Sequence, residues 1–280
     1  MAVWEVFYMN NSPEDRRLLT ELARWHRIVF ALTWQDLRNR YVGATFGLFW
    51  SFIQPLIMAL ILWFVFAVAM GAQPRHGVPF IAWFLVSVAA YNFFAESLST
   101  ATQVFREYAF LVKNIRFQIE ILPLVKIFAA AFVHFLFLAV VIVFLLFNGV
   151  PASWFWLQTF YYIAALILLV QGLSWITASL NVFSRDVAYG VQVLLQLGFW
   201  VSPVFWDFDM IPDRFQTLTP FLKLNPFVYI VQGYRHSLVE QIPFWADWRL
   251  MLYFWCFTLA VWLAGYCLFK KLKPQFADVL

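Results

Sequence analysis

From residue 127 to residue 184, between Lys126 and Arg185, the chain carries no Asp, Glu, Lys or Arg for 58 consecutive positions. A soluble domain could not cover its surface across such a stretch. A bilayer core takes about 20 apolar residues per helix, so the run is too long for one crossing. The turn signal Asn148-Gly149-Val150-Pro151 divides it. The expected halves are a third span at 121–147 and a fourth at 155–180. Composition agrees: 64% of the 280 residues are apolar and 12% charged, against roughly 45–50% and about 25% in ordinary globular domains.

Other charge-free stretches complete the count. Span one is expected at 44–70, span two at 78–100 with Glu96 near its inner end, span five at 187–206 and span six at 250–269. The expected fold class is therefore an all-α integral membrane protein with six transmembrane helices. Six spans place both termini on one side. Of the 19 Lys and Arg residues, 14 then fall on the side of the termini, which makes that side cytoplasmic. The first 43 residues show no short apolar core followed by a small-residue cleavage site, so span one is expected to direct insertion itself.

The segments between spans are informative. Within residues 1–43, Ser12, Pro13 and Asp15 form a helix start. Leu18, Leu22, Trp25, Val29 and Leu32 recur at three- and four-residue spacing, with Arg17, Glu21, Arg24, Arg27 and Arg38 largely off that stripe. An N-terminal amphipathic interface helix is expected. It is either a plain anchor or a sliding helix that also touches an acidic headgroup or partner. The connection 101–120 mixes charge with aromatics in Phe105-Arg106-Glu107-Tyr108 and Lys113-Asn114-Ile115-Arg116-Phe117. It reads as a solvated connector or as a docking helix for a cytoplasmic subunit. The outer segment 207–249 is too apolar for a solvated loop. Pro212, Pro220, Pro226 and Pro243 prevent a full crossing. Phe215–Leu224 and Phe227–Leu238 read as short re-entrant helices, which suit a gate or vestibule. A peripheral cap is the alternative.

Several chemistries find no residues. None of the ten glycines precedes a lysine, so the phosphate-binding Gly-x-x-x-x-Gly-Lys-[Ser/Thr] loop is missing. Cys256 and Cys267 lie in one apolar stretch and read as small packing residues. His26, His76, His134 and His236 are scattered, and no metal ligand set is expected. His134, inside span three, is a proton-relay candidate or a histidine packed between helices with one hydrogen bond. Asp207, Asp209 and Asp213 read as a solvated acidic group. So few intramembrane charges argue for an external energy source.

The ordered motifs are recognisable. Asp36-Leu37-Arg38-Asn39-Arg40-Tyr41, Gly47-Leu48-Phe49-Trp50 and Gln54-Pro55-Leu56 open the series. Ser184-Arg185-Asp186-Val187 precedes span five, and Phe199-Trp200-Val201-Ser202-Pro203-Val204-Phe205 ends it. Leu224-Asn225-Pro226-Phe227, Gly233-Tyr234-Arg235 and the terminal Lys273-Pro274-Gln275-Phe276-Ala277-Asp278-Val279-Leu280 follow. Over nearly its whole length the chain resembles the permease subunits of ATP-binding-cassette exporters of bacterial surface polysaccharides, of the O-antigen, capsule or teichoic acid type. Ala44-Thr45 departs from the serine-containing pair of many such relatives.

That resemblance implies a homodimer in the bacterial inner (plasma) membrane with two copies of a separate ATPase, which would bind ATP and magnesium; this chain itself would hold no cofactor and catalyse nothing. It implies a coupling helix at 104–116 carrying Phe105, Arg106, Glu107, Tyr108, Lys113 and Arg116. It implies gate helices marked by Asn225, Pro226, Tyr234 and Arg235, and a lipid-diphosphate-linked glycan as cargo. Nucleic acid is not an expected partner. Aromatic residues are 21% of the chain, and flat apolar faces suit a sliding sugar. Phe46, Trp50, Trp63, Phe199, Trp200, Phe205 and Trp206, on the two spans implied to line the path, are the candidate lining; lipid contact or helix packing is the competing role of each. Arg24, Arg27, Arg38 and Arg40 stand at the inner mouth, where they would meet a diphosphate or anionic lipid. A drug or lipid exporter, a membrane glycosyltransferase using Asp207, Asp209 and Asp213, and a purely structural subunit are the other classes.

Overall fold

The computed structural model describes residues 13–41, 49–71, 73, 74, 77–113 and 118–280. Their regular structure is helical. Helix α1 is Pro13–Tyr41. Helix α2, Phe49–Trp63, runs on into the π-helical turn Phe64–Ala69. Then come α3 (Phe80–Glu107), α4 (Leu122–Phe147), α5 (Gln158–Phe183), α6 (Asp186–Val201), α7 (Phe227–Arg235) and α8 (Trp248–Leu272).

Four helical segments are long and apolar enough to cross a membrane: Phe80–Glu107, Ile119–Phe147, Trp154–Phe183 and Trp248–Val279. They match expected spans two, three, four and six. Leu56–Phe66 and Asp186–Val201 are apolar but shorter. Span five was expected to reach residue 206, and its helix stops at Val201. Ser202 turns extended, with ψ 147°, because the following Pro203 disfavours helical geometry at the residue before it. Sixteen residues rise about 24 Å, less than the roughly 30 Å hydrocarbon core.

Residues 104–116, expected as one coupling helix, are divided. Helix α3 runs unbroken to Glu107, so Val104–Glu107 is the last turn of a long helix. A one-turn helix, Ala109–Val112, follows, and residues 114–117 lie outside the described residues. Within residues 207–247 the described helices are all short, as the four prolines require. The prolines leave the one-turn helix Thr219–Leu222 and the nine-residue α7, which continues as a π-helical turn, His236–Glu240.

The turn between α4 and α5 shows its cause. Gly149 takes φ +77°, which its missing Cβ allows. Val150 N–H then reaches Leu145 O and Gly149 N–H reaches Leu146 O, both at 3.1 Å. These two bonds satisfy the helix-end carbonyls, and the buried pair Leu145 and Val150 seals the motif.

Helix α3 is the axis of the bundle, packed on α4, α5, α6, α7 and α2. Its buried Ala82, Ser87, Ala89, Ala90, Ser97 and Ala101 let neighbouring backbones come close, the usual means of association where lipid is the solvent. Helix α8 packs on α5 through another pair of small residues. A Cβ on Gly265 would lie 2.4 Å from Gly172 O, and one on Gly172 would lie 2.9 Å from the Trp262 backbone. Cys256 and Cys267 on α8 are exposed, so they do not serve as packing residues inside this chain. Helix α1 lies on α4. Among its described side chains Asp36 and Leu37 are buried, while Val29 and Leu32 of the expected stripe are part-buried; the side chains of Leu18, Leu22 and Trp25 lie outside the described residues. Leu37 packs with Ala129 and Val133 of α4.

Candidate functional site

Among the described residues two buried charge centres lie along α3, one at Ser87 and the other reaching from Glu96 to Glu107, about 14–30 Å further along the helix. The first is built around Arg235 of α7, only 1% exposed. Its Nε donates to Ser87 Oγ at 2.7 Å. Its Nη2 donates to Pro203 O at 2.6 Å and Val204 O at 3.0 Å. The Asp207 carboxylate lies 3.8 Å from Nη1, and the guanidinium stacks 3.5 Å from a Trp83 ring centre. A planar fork with five donors suits such a set of fixed acceptors. Just past the end of α6, the carbonyls of Pro203 and Val204 are claimed by this arginine. Arg235, expected as a gate residue on an outer loop, is thus a core residue, and Asp207, expected in solvent, partly faces it.

The neighbouring motifs converge here. Asn225 donates to Ser202 Oγ at 2.9 Å and accepts from Phe227 N–H at 3.0 Å, joining the broken end of α6 to the start of α7. Pro226 stands as the N-cap of α7. Tyr234 Oη lies 3.0 Å from His134 Nε2, and Phe93 stacks on His134 at 4.7 Å. His134 is therefore packed between helices. At Gly233 a Cβ would fall 2.0 Å from the Tyr162 ring, so that motif position is a seat for a tyrosine.

An aromatic seam runs beside this centre. Phe205 stacks on Phe66 at 5.3 Å and meets Trp200 edge-on at 5.0 Å. Phe199 is edge-on to Tyr91 at 5.1 Å, and Tyr91 to Phe227 at 5.3 Å. The Tyr91 hydroxyl donates to Leu195 O of α6. Trp206 Nε1 donates to Trp200 O at 3.2 Å. Phe199, Phe205 and Trp206 are only partly exposed, and Trp200 is 49% exposed on a face shared with Val193, Leu194 and Leu197. Trp63 is part-buried at the end of α2. Phe46 lies outside the described residues, as does the Trp50 side chain. Sequence reasoning missed Phe66 and Tyr91, since a lone aromatic in an apolar span gives no signal of its neighbours.

The second centre joins α1, α3 and α4. Lys126, 4% exposed, places its ammonium 2.5 Å from Asp36 Oδ1 and also pairs with Glu107. Arg40 Nε bonds the other Asp36 oxygen at 2.9 Å, and Arg40 Nη1 reaches Glu96 at 2.7 Å. The Tyr108 hydroxyl points at Asp36 across 3.4 Å. Burial first, and the Asp36 charge second, push the Tyr108 phenol above its ordinary value. Buried charges persist when paired this fully. Asp36 and Lys126 were not among the expected site residues; an Asp just inside a basic helix and a Lys at a span's edge look like ordinary boundary charges.

The expected coupling residues divide into two groups. Phe105 is buried against Phe269 and Phe276. Arg106 donates to Asn181 O at 2.7 Å and Val182 O at 2.9 Å, closing the C-terminal end of α5. Glu107 and Tyr108 face the Asp36 network. Lys113 is exposed, as is Phe110 at 67%. Arg116 lies outside the described residues. Of the inner-mouth arginines, Arg27 and Arg38 are exposed, Arg40 is committed to the network, and the Arg24 side chain lies outside the described residues. Lys273 pairs with Glu120 at 2.6 Å, and Phe276 closes the small core beneath residues 104–112.

A family model for ABC-2 type transporters matches residues 27–239, a range that contains both charge centres. The chain belongs to the ABC-2 type transporter family. Two O-antigen export system permease proteins RfbA of Klebsiella pneumoniae are 29% and 28% identical to it over 256 and 255 residues. Those alignments cover 90% of this chain and 95% of each relative. A third, from Myxococcus xanthus, is 24% identical over 268 residues, 94% of this chain and 98% of that protein. This family member thus matches those permeases nearly end to end.

Proposed function

We propose that the chain is the permease subunit of an ATP-driven exporter that moves a lipid-diphosphate-linked surface polysaccharide across the bacterial inner membrane. The observation that carries this reading is the full-length likeness to O-antigen export permeases. In this reading the two shorter apolar helices also cross, giving six spans, with both termini cytoplasmic. A hydrolysing partner supplies the energy. The chain pairs as a homodimer, and the exposed face of α6 carrying Trp200 turns toward the path. The Thr219–Leu222 turn and α7 form the gate, with Arg235 as its fixed root. The surface around Phe110 and Lys113 meets the ATPase, while Phe105, Arg106 and Lys126 hold that surface from within. Of the inner arginines, Arg38 is exposed and stands outside the Asp36 network, in reach of a diphosphate.

Deleting the gene tests this. Lipid-linked glycan should accumulate on the cytoplasmic face while surface polymer disappears; unchanged surface polymer would overturn the proposal. A drug or lipid exporter would instead show altered efflux with normal surface glycan.

A further inference from the structure

We propose that the wedge between α1 and α4 is a binding site for one chain of an anionic membrane phospholipid, with the headgroup held at His26 and Arg27. The two helices touch where Thr33 Oγ1 donates to Val125 O at 3.4 Å and where Asp36 meets Lys126. Nearer the N-terminus of α1 a groove of about 420 Å³ separates them. Val29, Phe30 and Thr33 form one wall, and Ile121, Leu124 and Phe128 the other; among the described residues His26 is the titratable one that lines it. That volume lies in the ordinary range for a small-molecule site.

The surroundings select the occupant. Phe128 lines the groove, and Phe132, Phe135 and Leu136 continue as exposed apolar residues further along α4, a helix within a segment apolar enough to cross a membrane. In the proposed membrane setting the Phe128 end therefore faces acyl chains and the His26 end the headgroups. A polypeptide segment would bring backbone donors and acceptors into walls that offer them no partners. A hydrocarbon chain brings none. The charge pattern selects the headgroup: from residue 16 to residue 27 the sequence holds four arginines and one glutamate, the composition that attracts anionic lipid. The site stands apart from the aromatic seam, so it does not depend on the cargo proposed above. A chain wedged there fixes the angle at which α1 delivers Asp36 to Lys126.

Native mass spectrometry of the full-length protein with added phosphatidylglycerol or phosphatidylcholine is the test. The expected result is one retained phosphatidylglycerol per chain, with roughly tenfold weaker retention of phosphatidylcholine. Leu124→Trp and Val29→Trp, which fill the groove from opposite walls, should each abolish retention, whereas Val143→Trp on a distant exposed stretch of α4 should not. Arg27→Gln should erase the headgroup preference. Inorganic phosphate should not displace the lipid. No lipid retained by the wild type, retention undiminished in the filled variants, or a lipid-linked glycan or second chain in its place would each overturn the proposal.

Discussion

The Lys126 ammonium on α4 lies 2.5 Å from the Asp36 carboxylate on α1 and also meets Glu107 at the end of α3. One buried cation thus ties three helices at the end of the bundle where residues 104–112 turn back. Removing one member of a buried charge pair costs about 3–5 kcal/mol, because the partner is left uncompensated. Lys126→Met should therefore lower the thermal unfolding midpoint in detergent markedly. Adding Asp36→Asn should restore part of the loss, since it removes one of the three carboxylates left with Arg40 as the network's remaining cation. A double variant no more stable than the single one would refute the pairing.

Arg235 offers a sharper test of geometry. Arg235→Lys keeps the charge but not the fork that spans Ser87, Pro203 and Val204. Losing such charge-assisted bonds costs about 1.5–3 kcal/mol each. The lysine variant should be destabilised nearly as much as Arg235→Met, and export should fall with it. Wild-type melting in the lysine variant would show that charge alone matters.

Trp200 and Phe205 should part company. Phe205 is packed between Phe66 and Trp200, and trimming an aromatic from a packed site costs about 3–5 kcal/mol. Trp200 is half exposed. Phe205→Ala should lower stability, while Trp200→Ala should leave the melting midpoint nearly unchanged and slow glycan export. Normal export by folded Trp200→Ala protein would remove Trp200 from the path.

The α5–α8 contact is intolerant of one methyl group. Gly265→Ala places a carbon 2.4 Å from Gly172 O, so the helices must separate. Overpacking of this kind costs about 1–3 kcal/mol. A loss of that size in detergent unfolding is expected, and Ala at the open Gly190, with no atom within 4 Å, is the control.

Tyr108 carries a pH signature. Its phenol is raised by burial and by Asp36, so the folded chain favours the neutral form. The stability this provides is complete below the unfolded phenol value of about 10 and fades as pH rises above it. Tyr108→Phe should lose less stability between pH 9 and pH 11 than the wild type, as read by paired melts in detergent. Identical alkaline profiles would place the phenol in water.

Local signals reached as far as local physics does. The missing charges, the Asn148-Gly149-Val150-Pro151 turn and the prolines of the outer segment each act within a few residues, so their consequences were readable. Span five misled because Ser202-Pro203 sits inside an apolar run; hydropathy averages over a break that one proline enforces. The segment 104–116 has other helix bounds for the opposite reason: α3 continues through charged residues because Arg106 and Glu107 find partners on α5 and α4.

The sequence by itself determined that this chain dissolves in lipid, how its crossings are ordered and which family its motifs resemble. Only the tertiary structure decided which side chains of those motifs meet. Arg235 and Ser87 are 148 positions apart, and Asp36 and Lys126 are 90 apart. Composition records that a cation is present. Whether it faces water, lipid or a ring of carbonyls depends on which helix breaks beside it, and that is settled only when the helices pack.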